Sequence, residues 1–156
     1  MKQNSNGYTL VELLVGLSII MITFSIGLVG YREFSRRQAL TGISKQLKAD
    51  LRLMQQLALT GQKPDDVSCN TLDGYLFSRV DSSTYRILID CAGIATPYVY
   101  KEVDLGSDIS LTSTNSTITF KVLGQGTDLN DDNTITLTHT SGNQNTVVVG
   151  VGGDVK

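Results

Sequence analysis

The chain of 156 residues contains few of the residue types that enzymes and metal sites use. It has one histidine, His139, and no motif that would place a nucleophile and an orienting carboxylate beside it. Its two cysteines form neither a CxxC motif nor a cluster with histidine, which argues against metal binding through thiolates. We therefore predict that the chain is not an enzyme, binds no cofactor, and carries His139 as an exposed residue at a strand end.

Proline is absent before Pro64, and no residue from Leu13 to Tyr31 is charged. The lack of proline predicts one continuous helix over residues 8–60. Its uncharged run is long enough to cross a bilayer, which takes about 20 residues. Glu12 lies at the edge of this run and would cost about 2–3 kcal/mol there unless it meets a cation or stays solvated among the headgroups.

The second half of this helix is amphipathic. Apolar residues recur at spacings of three and four, which predicts one face packed on a domain; they are Leu40, Ile43, Leu47, Leu51, Met54 and Ala58. Polar residues, Asp50 among them, are assigned to the other faces. Gly61, followed by Pro64, predicts the end of the helix.

Beyond Pro64 the sequence changes to short β-rich runs separated by Ser, Asn, Asp and Gly. We predict an α+β fold in which the long helix packs on a small antiparallel β-domain. The predicted strands are 74–80, 84–90, 99–105, 109–111, 117–123, 134–138 and 146–151. The predicted organisation is a leader at 1–7, a membrane-spanning or filament-core helix at 8–31, its amphipathic continuation at 32–60 and a β-rich head at 61–156.

The N-terminal motif Gly7-Tyr8-Thr9-Leu10-Val11-Glu12 precedes the apolar run, which is the reverse of the order in a secretory signal peptide. It resembles the class III leader of type IV pilins and pseudopilins, although Tyr8 stands where that family more often has Phe. The resemblance implies cleavage by prepilin peptidase between Gly7 and Tyr8, and N-methylation of Tyr8. It also implies that Glu12 pairs with the N-terminal amine of a neighbouring subunit during assembly.

A looser resemblance covers the β-domain. The motifs Gly74-Tyr75-Leu76-Phe77 and Ile118-Thr119-Phe120, with the glycine-rich end Gly152-Gly153-Asp154-Val155, are similar to those of GspH/FimT-type pseudopilins. This resemblance implies a minor pseudopilin that joins a type II secretion pseudopilus or a type IV pilus-like filament and supports protein secretion. The alternative is a minor pilin involved in DNA uptake or in pilus biogenesis.

Charge is unevenly distributed along the chain. Residues 61–156 hold 6 Lys/Arg and 12 Asp/Glu, a net charge of −6, whereas residues 8–60 hold 6 and 3, a net charge of +3. An acidic head makes nucleic acid an unlikely partner, because such binding requires Lys and Arg to neutralise phosphates. Arg32, Arg36 and Arg37 follow the apolar run. They would place that end on the cytoplasmic side by the positive-inside rule, whereas the pilin resemblance places the head in the periplasm or outside the cell.

The expected partners are therefore other pilin or pseudopilin subunits, prepilin peptidase, an inner-membrane assembly platform and the lipid bilayer, with a single pass through the bacterial inner membrane.

Cys69 and Cys91 form either a disulfide or two buried thiols; a disulfide closing that loop would stabilise the head by about 3 kcal/mol. No metal is predicted. Asp128, Asn130 and Asp132 form a calcium candidate, but their spacing does not match an EF-hand and also suits a polar turn.

Overall fold

The computed structural model describes residues 9–63 and 69–156, with the backbone alone at 26–29. The chain divides into two compact units, Met1–Arg37 and Gln38–Lys156. The predicted α+β class is confirmed, since one long N-terminal helix is followed by antiparallel sheets. The second unit contains all seven strands together with the amphipathic part of the helix.

The helix α1 runs over Leu10–Thr60, a stretch that contains no proline. It ends in a Schellman motif, in which Gly61 takes a positive φ of 63°. The Gly61 N–H donates to the Ala58 carbonyl at 3.2 Å and the Gln62 N–H donates to the Leu57 carbonyl at 3.1 Å. Glycine adopts this conformation without the steric cost that a Cβ would add, so Gly61 ends the helix as predicted.

The strands of the predicted β-domain form two sheets. The first sheet has the order β3-β2-β1-β5 and the second has the order β4-β6-β7, with antiparallel pairing throughout. The bounds are β1 Leu72–Arg79, β2 Thr84–Cys91, β3 Tyr98–Asp104, β4 Ile109–Ser113, β5 Thr117–Lys121, β6 Asn133–His139 and β7 Gln144–Val149.

The prediction of a strand through Leu123 is wrong. β5 ends at Lys121, and a 3₁₀ turn follows over Val122–Gly124. Leu123 is exposed and has a φ of 57°, a conformation that is unusual for a residue with a Cβ. Gly124 and Gly126 also have positive φ values, which glycine adopts without steric cost. The two glycines turn the chain back, so that the Lys121 N–H donates to the Gly126 carbonyl at 2.9 Å. The predicted final strand likewise ends early, at Val149.

The amphipathic half of α1 supplies one side of the core. Five of the six predicted apolar positions are buried and Ile43 is half-buried; the buried ones are Leu40, Leu47, Leu51, Met54 and Ala58. They belong to one cluster with the inward side chains of both sheets, among them Tyr75, Phe77, Ile118, Ile135 and Val147. These contacts explain why the compact unit begins at Gln38, within the helix. A fragment starting at residue 61 would lose one side of this core.

Asp50, which the sequence assigned to a face other than the apolar one, is nevertheless buried. It is 6% exposed, and its Oδ2 accepts a hydrogen bond from the Tyr85 hydroxyl at 2.7 Å. The Lys101 Nζ lies 2.8 Å from Oδ1 and 2.9 Å from Oδ2. The carboxylate thus links α1 to β2 and β3, and this polar cluster of Asp50, Tyr85 and Lys101 satisfies a charge that would be costly if it were buried alone.

The cysteines resolve the alternative that the sequence left open. Cys69 and Cys91 form a disulfide with a Cα–Cα distance of 5.7 Å. Cys91 ends β2, and the Ala92 N–H donates to the Thr71 carbonyl at 2.9 Å. The bond therefore ties the entry into β1 to the end of its neighbouring strand.

Alkaline pH should destabilise the fold through Tyr85. Its burial, together with the hydrogen bond to Asp50, raises the pKa of Tyr85 above its ordinary value of 10.0. Above that pH the unfolded chain loses the Tyr85 proton while the folded chain keeps it, so stability falls by up to about 1.4 kcal/mol per pH unit. Tyr85→Phe should flatten this part of the profile in urea unfolding of the detergent-solubilised chain. Tyr100→Phe, at an exposed position, is the control, and an unchanged alkaline slope in Tyr85→Phe would contradict the expectation.

Candidate functional site

The helix begins with a reciprocal capping box at Thr9 and Glu12. The Thr9 N–H donates to Glu12 Oε2 at 3.0 Å, and the Thr9 hydroxyl donates to the same oxygen at 2.8 Å. In return, the Glu12 N–H donates to Thr9 Oγ1 at 3.3 Å. Such T-x-x-E boxes satisfy backbone donors that the first turn leaves without helical partners, so this pair fixes the start of α1 at Leu10.

The capping box gives the acid of the apolar run a partner within its own chain. Both Thr9 donors converge on Oε2, and no residue in 9–63 or 69–156 donates to Oε1. One carboxylate oxygen is thereby satisfied at a helix start, where negative charge is favoured by the helix dipole.

The apolar run that follows contains hydroxyl groups, and these bond within the helix. The Ser18 hydroxyl donates to the Leu14 carbonyl at 2.8 Å, and the Ser25 hydroxyl donates to the Met21 carbonyl at 2.8 Å. The Thr23 hydroxyl donates to the carbonyls of Ile19 and Ile20 at 2.9 Å. Polar side chains that bond to their own helix are compatible with lipid, where an unsatisfied group would cost several kcal/mol.

The large side chains of this run lie on the surface of the subunit. Leu10, Leu14, Ile20 and Phe24 are 77%, 55%, 56% and 70% exposed. An 18-residue window of α1 has a mean hydropathy of 2.4, and none of that window is buried within the chain. By length and composition α1 can cross a membrane. Apolar surface of this extent requires lipid or other apolar helices to cover it.

Other predicted site residues are placed as follows. Gly7 and Tyr8, the predicted cleavage and methylation positions, lie outside the described residues.

In the calcium candidate, both carboxylate oxygens of Asp128 already accept hydrogen bonds: Oδ1 accepts the Thr119 N–H at 2.8 Å and Oδ2 accepts the Thr119 hydroxyl at 3.0 Å. Within the described ranges, no group of three or more His, Cys, Asp or Glu could hold a metal ion. Asp128, Asn130 and Asp132 therefore stay a calcium candidate only.

The expectation that His139 is exposed is wrong. It is 8% exposed and ends β6 opposite Ile109, with its Nδ1 accepting the Ser141 N–H at 3.0 Å. The Ser141 Oγ lies 2.9 Å from the same nitrogen and accepts a hydrogen bond from the Asn143 side chain at 3.1 Å. These contacts form the turn between β6 and β7, so the histidine has a local structural partner.

Comparison with known proteins assigns the N-terminal segment. Residues 2–28 match the family model of the prokaryotic N-terminal methylation motif. The chain carries a class III prepilin leader. The leader match spans Gly7, Tyr8, the capping box and most of the apolar run, and it fits the type IV pilin-like family. No curated protein and no solved structure matches the chain.

The prepilin leader implies processing by prepilin peptidase and assembly with other pilins, and the apolar helix that follows it is consistent with membrane anchoring. The feature that the sequence interpretation missed is the capping contact between Glu12 and Thr9. The motif T-x-x-E in front of an apolar run is itself a capping-box signature, so the spacing of Thr9 and Glu12 contained the signal.

Proposed function

We propose that the chain is a minor pseudopilin of the GspH/FimT type, which joins a type II secretion pseudopilus or a type IV pilus-like filament and supports protein secretion. The observation that carries the proposal is the prepilin leader followed by an apolar helix whose large side chains are exposed. Before assembly the helix spans the inner membrane once, with the head in the periplasm. After assembly the same side chains are covered by the helices of neighbouring subunits.

In this proposal, Glu12 directs the docking of a new subunit. Cleavage after Gly7 creates an amine at Tyr8, and the amine of one subunit meets the free Oε1 of Glu12 in its neighbour. A charge-assisted hydrogen bond in an apolar medium is stronger than one in water, and it forms only when the two helices have the correct axial offset. Thr9 keeps the carboxylate hydrogen-bonded in the membrane until that partner arrives.

The supporting argument for a protein rather than a nucleic-acid partner is the charge of the head. Residues 61–156 carry a net charge of −6, and the last residue, Lys156, is paired with Asp154 at 2.8 Å. Such a surface repels phosphate backbones. Secretion of folded proteins requires contacts with protein surfaces, for which an acidic head is no obstacle.

Processing provides the test of the proposal. Co-expression with a prepilin peptidase should remove residues 1–7 and leave Tyr8 as an N-methylated first residue, as read by intact-mass spectrometry. Gly7→Leu should leave most of the chain uncleaved, because the peptidase requires a small residue at that position. Gly30→Leu, a glycine farther along the same helix, is the matched control and should be processed normally. Normal processing of Gly7→Leu, or no processing of the natural chain, would overturn the proposal.

A further inference from the structure

Directly after the apolar run, α1 carries a short segment, Tyr31–Arg37, that combines aromatic and charged residues; we call it the collar. Its cations are all arginine, whereas the next two cations of the helix are Lys45 and Lys48. Tyr31 and Phe34 are 70% and 64% exposed, although both are large and aromatic. The collar therefore presents aromatic rings and guanidinium groups to its surroundings.

The arginines of the collar differ in their partners. Arg37 pairs with Glu33 one turn earlier, with 2.9 Å between Nε and Oε1. Arg32 and Arg36 are also one turn apart, which places them on one side of the helix, and both are exposed. Neither forms an ion pair with a residue of the described ranges 9–63 and 69–156. Two adjacent positive charges are thus left for a partner outside the subunit.

The position of the collar along the helix suggests which partner this is. Arg32 is twenty residues after Glu12, and at 1.5 Å per residue the two are separated by about 30 Å. This is the thickness of the hydrocarbon core of a bilayer. If Glu12 is at one boundary, Tyr31 and Arg32 are at the other, where aromatic and basic residues anchor membrane helices.

We propose that Arg32 and Arg36 bind the phosphates of anionic phospholipids in the leaflet that faces the head, and so hold the subunit in the membrane before assembly. The inference rests on the proposed function, since it requires α1 to span the bilayer. The planar guanidinium donates two parallel hydrogen bonds to a phosphate, which an ammonium cannot do. Anionic headgroups also offset the unfavourable placement of arginine on the non-cytoplasmic side.

Reconstitution into a mixture of two vesicle populations tests the proposal. The full chain in detergent is offered equal amounts of phosphatidylcholine vesicles and vesicles containing phosphatidylglycerol, which are then separated by density. The natural chain should favour the anionic vesicles, and Arg32→Gln/Arg36→Gln should lower the ratio by about fivefold per arginine. Lys45→Gln/Lys48→Gln changes the charge equally but farther along the helix, and it should leave the ratio near that of the natural chain.

The outcomes separate the two proposals. Failure to insert into either population would contradict the membrane-spanning function, and the lipid inference with it. Insertion without a preference, or an equal loss in both double variants, would overturn the lipid inference alone. Arg32→Lys/Arg36→Lys should retain only part of the preference, because both charges remain but the paired hydrogen bonds of each guanidinium are lost. Arginine-to-glutamine variants that keep the lipid preference but enter filaments poorly would show that the arginines contact acidic residues of a neighbouring subunit instead.

Discussion

Glu12→Gln should reduce incorporation of the chain into filaments by roughly a hundredfold, while leaving its membrane insertion intact. Glutamine is accepted at this position of a capping box, so the contacts with Thr9 are retained and the helix still starts at Leu10. What is lost is the negative charge that would meet the amine of Tyr8 in a neighbouring subunit. Leaving such an amine unpaired among apolar helices costs about 3–5 kcal/mol. Quantification of the subunit in sheared filaments against the membrane fraction measures the effect.

Two further variants separate pairing from capping. Glu12→Ala removes both roles and should be no better assembled than Glu12→Gln. Thr9→Val removes the hydroxyl bonds to the carboxylate but keeps the backbone N–H bond and the shape of the side chain, and it should lower incorporation by only a fewfold. Near-normal assembly of Glu12→Gln together with a severe defect in Thr9→Val would mean that the cap, rather than the charge, is what assembly requires.

Local signals predicted the parts of the fold that depend on local physics. Apolar residues at spacings of three and four identified the face of α1 that enters the core, and Gly61 predicted the end of the helix. Alternation in the strands predicted their existence. The ends of β5 and β7 were missed because Leu123 and Val151 are apolar and continue the pattern of each strand, whereas the turns are set by nearby glycines such as Gly124, Gly126 and Gly153.

Long-range contacts explain the other failures. The burial of Asp50 was not predicted because its partners, Tyr85 and Lys101, are 35 and 51 residues away in sequence. His139 reads as exposed because its burial depends on the turn that returns through Ser141 and Asn143. The division of the strands into two sheets is likewise a property of tertiary packing. In contrast, Thr9 and Glu12 are only three residues apart, so their capping contact could have been predicted from the sequence although it was missed.

The leader and the head differ in how much of their function can be predicted from local sequence. The prepilin leader matches a family model within residues 2–28, so its signal is encoded locally. In the proposed function the head acts through a folded surface, and its net charge of −6 is the property of the head that sequence alone supplies. The leader therefore indicates a pilin-like protein, whereas the surface of the head depends on the tertiary arrangement that Asp50 helps to hold.

Lys101→Met should destabilise the head by about 3 kcal/mol. The substitution keeps much of the side-chain volume but leaves the carboxylate of Asp50, which is 6% exposed, with only the Tyr85 hydroxyl as a partner. Removing one member of a buried ion pair typically costs about 3–5 kcal/mol, and Lys101 is itself partly accessible to water, so the lower end is expected. Urea unfolding of the detergent-solubilised chain at neutral pH, followed by circular dichroism, measures the change.

A double-mutant cycle shows whether the uncompensated charge is the cause. Asp50→Asn/Lys101→Met removes both charges and keeps an acceptor for Tyr85, so it should be more stable than Lys101→Met by at least about 1 kcal/mol. Arg86→Met provides the control, because Arg86 pairs with Glu102 at 2.6 Å between β2 and β3, but both side chains are well exposed. That loss should be below about 1 kcal/mol. Equal losses in Lys101→Met and Arg86→Met would mean that burial of Asp50 does not make its ion pair special. A double variant less stable than Lys101→Met would show that the carboxylate matters to the fold for reasons other than its charge.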